Sequence, residues 1–260
     1  LVVPNAGNAD TVWDELNKRA ESFDVTLKNE SRDVAMIAVQ GPKAAEILVP
    51  LVEDNKQDEV YNLGYYAATM GKVARTFAII ARTGYTGEDG FELIVYNSDA
   101  AQLWEELLKA GTEYDLKPCG LAARDSLRLE AGMPLYGNEL SRDITPVEAG
   151  MARAFAKKEA DFVGSEVVRQ RAAEGPQVAI TGLTSEQRRA ARAGAEVFVG
   201  DEKVGTVTSG QPSPTLGHPV AIALLNTGAN LEPGSAVEVE IRGKRYPFEV
   251  TALPFYKRDK

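Results

Sequence analysis

Between residues 10 and 23 the apolar positions Val12, Leu16, Ala20 and Phe23 recur at intervals of three or four, which places them on one face of an α-helix. Asp10 or Thr11 stands where a side-chain cap for the helix's free amides is needed. Ahead of it, the run beginning Leu1-Val2-Val3 reads as a β-strand. Val34 to Val39 is a short apolar run of strand type, and Gln40-Gly41-Pro42 predicts a helix start, because proline's missing N–H costs nothing in a first helical turn. Val73 to Arg82 and Phe91 to Tyr96 read as strands, and the glycine-rich stretch 84–90 between them predicts a tight connection, so the two are expected to pair as a hairpin. Ser98 is placed to cap a further helix. Its apolar face is Ala100, Leu103, Trp104, Leu107 and Leu108, and Gly111 ends it.

Beyond the break at Gly175-Pro176 the pattern changes to short apolar runs separated by Gly, Pro, Asn and Asp. Val178–Leu183, Ala195–Val199, Lys203–Thr208, Ala221–Leu225, Ala236–Arg242 and Tyr246–Thr251 have the even spacing of a small β-barrel, with Gly243 in the last turn. The expected fold class is α+β: a mixed region over residues 1–174, then an antiparallel β-barrel over 175–260.

At 260 residues the chain has room for two domains, and 44% hydrophobic with 26% charged residues gives it enough apolar surface to fold. A net charge of -9 with no Lys/Arg-dense run argues against nucleic acid, which binds through cations that displace counterions from phosphate. One cysteine, Cys119, and one histidine, His218, build neither a disulfide framework nor a clustered zinc site, and fit a reducing cytoplasm. No stretch reaches the roughly 20 apolar residues of a membrane helix, so no membrane partner is expected. The start at Leu1 rather than Met leads us to expect that sequence has been removed upstream.

Two segments carry candidate chemistry. In 84–92, three glycines let backbone approach a flat ligand, and Glu88, Asp89 and Glu92 offer carboxylates to its N–H groups. Glu88 and Asp89 equally fit a hairpin tip that faces water. Glu92 lies within a strand, on the face of Ile94 by period-2 alternation, and a carboxylate beside an apolar residue needs a donor. In 118–132 a helix entered through Pro118 and Gly120 carries Arg124 and Arg128 one turn apart. Arg128 suits an internal ion pair, with Glu130 or an acid elsewhere, and Arg124 suits a ligand. Cys119 reads as a small buried hydrophobe and His218 as a surface or packing residue, with no serine-hydrolase elbow to accompany it.

Arg82-Thr83-Gly84-Tyr85-Thr86-Gly87-Glu88-Asp89-Gly90-Phe91-Glu92 resembles a signature of the folate-dependent aminomethyltransferases (T proteins) of the glycine cleavage system almost letter for letter. Cys119-Gly120-Leu121-Ala122-Ala123-Arg124-Asp125-Ser126-Leu127-Arg128-Leu129-Glu130-Ala131-Gly132 does so as well, continuing through Leu135-Tyr136-Gly137-Asn138. Further stretches match in order, among them Val39-Gln40-Gly41-Pro42 and Gly205-Thr206-Val207-Thr208-Ser209-Gly210, so the likeness covers essentially the whole chain. The resemblance implies tetrahydrofolate as cofactor and the lipoylated H protein as partner: the H protein's aminomethyl group releases ammonia while its carbon forms 5,10-methylenetetrahydrofolate. It implies Glu92 as the acid that bonds the pterin and Arg124 as that acid's arginine partner, with Asn5 and Tyr256 as further folate contacts.

The family's catalytic aspartate sits in a Gly-Gly-apolar-Asp-Asp stretch that occurs nowhere here, so no catalytic residue is assigned and this polypeptide is expected to be deficient in turnover. Two alternatives share the fold. One is an iron-sulfur assembly accessory protein, whose characteristic cysteine is missing from the segment 157–164, and the other is a non-catalytic folate-binding fragment. The C-terminal part of a folate-linked demethylase has similar motifs, and an upstream flavin domain would mark it.

Overall fold

Buried and accessible side chains alternate along a four-stranded antiparallel sheet in the computed structural model, which describes residues 1–155, 158 and 160–258. The chain forms two compact units, Leu1–Gly84 with Glu88–Pro118 and Tyr85–Gly87 with Cys119–Lys260.

In the first unit, α1 (Ala9–Ala20) is followed by β1 (Val34–Gln40), α2 (Ala44–Leu48), α3 (Gln57–Tyr61), β2 (Ala68–Val73), β3 (Thr76–Ala81), β4 (Gly90–Tyr96) and α4 (Asn97–Ala110). The sheet order is β1-β4-β3-β2. Ile37 and Val39 of β1, Ala78 and Ile80 of β3, and Phe91, Leu93 and Val95 of β4 share one core with Leu48 of α2 and Leu103 and Leu107 of α4. The expected pairing of β3 with β4 is present, with Ala81 opposite Glu92.

Three expectations need correction in this unit. The stretch 73–82 is not one strand. β2 and β3 meet in a two-residue turn, with Val73 opposite Thr76 and with Ala74 and Arg75 at φ 47° and 71°. Such a turn normally announces itself with Asn-Gly or Asp-Gly, and Ala-Arg carries no such signal. Leu1 to Asn5 pairs with no strand; Leu1 is 86% exposed. Neither Asp10 nor Ser98 caps its helix, since each lies inside the first turn, where its negative charge or short side chain is well placed without making the capping bond.

The second unit contains α5 (Leu121–Glu130), α6 (Ser165–Glu174) and six strands, β5 (Val178–Thr184), β6 (Glu196–Val199), β7 (Glu202–Pro212), β8 (Pro219–Asn226), β9 (Ala236–Ile241) and β10 (Lys244–Thr251). All six strands appear as expected and close into an antiparallel barrel in the order β10-β5-β8-β7-β6-β9. Leu183, Val197, Val207, Ala221, Ala223, Val239, Phe248 and Val250 belong to its core. On β8 the intervening residues Val220 and Ile222 pack instead with Leu129 of α5, so both faces of that strand are buried.

One irregularity positions the site. Val207 pairs with Ala223 but Ser209 pairs with Ile222, so Thr208 is an extra residue on β7. A one-residue slip turns later side chains to the opposite face. Val207 stays in the barrel core, while the Ser209 hydroxyl meets Arg128 and Glu139.

Candidate functional site

In the first unit Glu92 stands on β4 with Ala38 of β1 directly opposite on one side and Ala81 of β3 on the other. Two methyl groups leave a trough around the carboxylate, on the sheet face opposite the helix-covered core, where Met36 and Phe77 are exposed and Ile94 is half-buried. The Thr83 hydroxyl is the carboxylate's one hydrogen-bond donor among the described residues. Gln40 places Thr83: its Nε2 donates to the carbonyls of Thr83 and of Phe91, both at 3.1 Å. Its Oε1 is buried without a partner. Positions 84 and 90 are glycine because any Cβ there would strike the Gln40 amide.

Asp89 corrects the reading of the connection as a tip facing water. It accepts a two-pronged bond from Arg82, Nε to Oδ1 at 3.0 Å and Nη2 to Oδ2 at 2.7 Å, while Arg82 Nη1 donates to the carbonyls of Tyr61 and Leu63. The Asp89 hydrogen bond holds the guanidinium's pKa above its usual value. Asp89 therefore braces the base of the connection. Asn5 is exposed; its carbonyl accepts the amide of Asn8 at 2.9 Å and its side chain makes no capping bond.

In the second unit α5 organises the polar groups. Arg124, near its start, is exposed, and its guanidinium lies 4.8 Å from the centroid of the Tyr85 ring. The Tyr85 hydroxyl donates to the Pro134 carbonyl at 2.6 Å, and burial pushes its pKa above the usual value of 10.0. Arg128, one turn on, is 1% exposed and pairs with Asp125 at 2.7 Å and with Glu139 at 3.1 Å, so the internal ion pair is present but Glu130 is not its acid. Glu130 instead accepts from the hydroxyls of Ser213 and Thr215, because a side chain two residues from Arg128 on a helix points to a different side. At the helix end the Tyr256 amide donates to the Glu130 carbonyl at 2.8 Å. Gly87, at φ 81°, lies so close that a Cβ would come within 2.8 Å of the Ala131 Cβ.

Gln40 and Thr83 beside Glu92 in the first unit, and Tyr85 beside Arg124 in the second, are residues that sequence reasoning overlooks, although all stand inside the quoted motifs. Cys119 is exposed rather than buried, since it precedes α5 where the chain has left the packed region. His218 is half-buried, with Nδ1 3.2 Å from the Pro219 carbonyl. Of the segment 157–164, Lys157 and Glu159 lie outside the described residues. Among the described residues no helix is long and apolar enough to cross a membrane.

The family model of the GCVT N-terminal domain matches residues 1–159, and that of the glycine cleavage T-protein C-terminal barrel domain matches residues 179–257. The chain is 83% identical to an aminomethyltransferase of Corynebacterium aurimucosum, over all of this chain and 70% of that protein. This chain is a member of the aminomethyltransferase family of the glycine cleavage system. An aminomethyltransferase of Streptomyces avermitilis is 51% identical over all of this chain and 70% of its own length. The crystal structure of glycine cleavage system aminomethyltransferase T from Bartonella henselae is 35% identical and superposes with a TM-score of 0.84, covering 97% of this chain and 67% of that one. The chain thus spans about 70% of the curated aminomethyltransferases it matches.

Proposed function

We propose that this chain binds tetrahydrofolate and serves the transfer in which an aminomethyl group on the lipoyl arm of the H protein loses ammonia and its carbon becomes the methylene of 5,10-methylenetetrahydrofolate. The observation that carries the folate reading is the Glu92 carboxylate, flanked in register by Ala38 and Ala81 and given one donor by Thr83. A carboxylate on a largely apolar sheet face has room for more donors than the one hydroxyl of Thr83, and a reduced pterin offers N–H groups in a flat ring that two alanines admit. Tetrahydrofolate, when bound, would supply the nitrogen that accepts the carbon.

Arg124, Tyr256 and Asn5 are further proposed contacts. The unspent donors of the Arg124 guanidinium suit a carbonyl or carboxylate of the ligand, and the bond from the Tyr256 amide to the Glu130 carbonyl holds the backbone that carries the Tyr256 ring. We place the folate-binding region in residues 1–174 and the barrel in 175–260, a division supported by the gap between the two family matches. A cytoplasmic setting agrees with the single cysteine. Because no Gly-Gly-apolar-Asp-Asp stretch is present, binding without efficient ammonia release is the expected behaviour of this polypeptide.

The test is a calorimetric titration of 5-methyltetrahydrofolate into the chain and into Glu92→Ala. Loss of a charge-assisted bond weakens binding roughly tenfold to a hundredfold, and a drop of that size is expected in the variant. A folded chain that does not bind, or a variant that binds as well as the parent, would defeat the reading.

A further inference from the structure

The paired register of β3 and β4 ends at Ala81 opposite Glu92. The β3–β4 ladder therefore does not place Thr83, yet the Thr83 hydroxyl donates to Glu92 Oε2. The missing link comes from β1. Gln40 is the last residue of that strand, opposite Gly90, and its side chain spans the mouth of the connection: Nε2 donates to the Thr83 carbonyl on one arm and to the Phe91 carbonyl on the other, both at 3.1 Å. Gly84 and Gly90 make room for this amide, since a Cβ at either position would lie 1.9 or 2.4 Å from Oε1. Oε1 itself is buried without a partner. A buried unpaired acceptor costs stability, so Gln40 contributes through its two donated bonds rather than through packing, which an apolar side chain of its length would supply without that cost.

We propose that Gln40 is a positioning residue for ligand binding at Glu92, acting through Thr83. The amide holds the Thr83 carbonyl, the Thr83 hydroxyl is thereby kept on Oε2, and the carboxylate presents a fixed edge on which Oε1 is left for an N–H of the ligand. An acceptor ordered before the ligand arrives spares the complex the cost of ordering it. Gln40, Thr83 and Glu92 all belong to the first unit, so the chain of contacts is complete within one compact body. The inference rests on the folate reading above, and it assigns to Gln40 and Thr83 a role that neither the resemblance nor the charge pattern of the sequence gives them.

The experiment titrates 5-methyltetrahydrofolate calorimetrically into the parent chain, Gln40→Met, Thr83→Val, Thr83→Ser and the double variant of Gln40→Met with Thr83→Val, each checked for a cooperative melting transition. Gln40→Met and Thr83→Val are each expected to weaken binding about tenfold, the value of one hydrogen bond to a charged group. The double variant binds no more weakly than Thr83→Val alone, because the amide acts through that hydroxyl, and Thr83→Ser, which keeps the hydroxyl, binds like the parent. Gln40→Asn, whose amide is one methylene too short for both carbonyls, takes the place of Gln40→Met if the latter does not fold. A Gln40 variant that binds like the parent, a Gln40 loss that adds in full to that of Thr83→Val, or a serine variant as weak as the valine one overturns the inference and leaves the folate reading standing. Failure of the folded parent to bind overturns both.

Discussion

Tyr85 occupies a place where its proton matters. Its hydroxyl donates to the Pro134 carbonyl, its ring lies beneath Arg124, and burial raises its pKa. The folded chain therefore holds the phenol proton more tightly than the unfolded chain does. This contribution to stability is complete below the ordinary tyrosine value of about 10 and is lost as the pH rises through the higher folded-state value. Urea unfolding between pH 8 and 11 should show a falling midpoint, and Tyr85→Phe should flatten part of that fall. At neutral pH the variant should be less stable by about 1 kcal/mol, because the Pro134 carbonyl loses its donor. Glu92 was legible as a special residue from its place in an alternating strand, whereas Thr83, the residue that donates to it, was not. Its hydroxyl reaches Glu92 only because β3 and β4 pair in the observed register.

At the scale of elements, the bulge in β7 and the buried polar cluster on α5 depend on each other. Thr208 is the extra residue that turns the Ser209 hydroxyl toward Arg128 and Glu139. Glu139 is 0% exposed and its carboxylate also accepts the Leu135 amide at 2.8 Å, so replacing it leaves a buried guanidinium under-compensated. Glu139→Gln should lower unfolding free energy by about 3–5 kcal/mol, measured by chemical denaturation. The first unit makes a contrasting prediction. Ala38 is exposed, so Ala38→Leu should leave the melting temperature nearly unchanged, while its larger side chain fills the trough beside Glu92. On the folate reading it should weaken 5-methyltetrahydrofolate at least about tenfold, the scale of an obstructed contact in a tightly packed site. Equal affinity in that variant would place the ring elsewhere.

Over the whole molecule, strand and helix periodicities identified most elements, including all six barrel strands, because each buries one face and the alternation is written directly into residue type. The failures fall where a tertiary partner or a local backbone state decides. Ala74-Arg75 turns the chain between β2 and β3 without turn residues, and Leu1 to Asn5 has strand-like composition but no strand to pair with. The likeness of the motifs pointed to the family, and the overall charge argued against a nucleic-acid footprint without revealing that Arg124 and Arg192 share one cavity. What the sequence determined alone was the kind and order of elements and the candidate residues Glu92 and Arg124. Tertiary structure alone decided that Arg128 pairs with Glu139 rather than Glu130, that Asp89 is spent on Arg82, and that Arg192 opens onto the same cavity as Arg124. The reason is physical: periodicity reports which face of an element avoids water, while a charge's partner is set by distances between residues far apart in the chain.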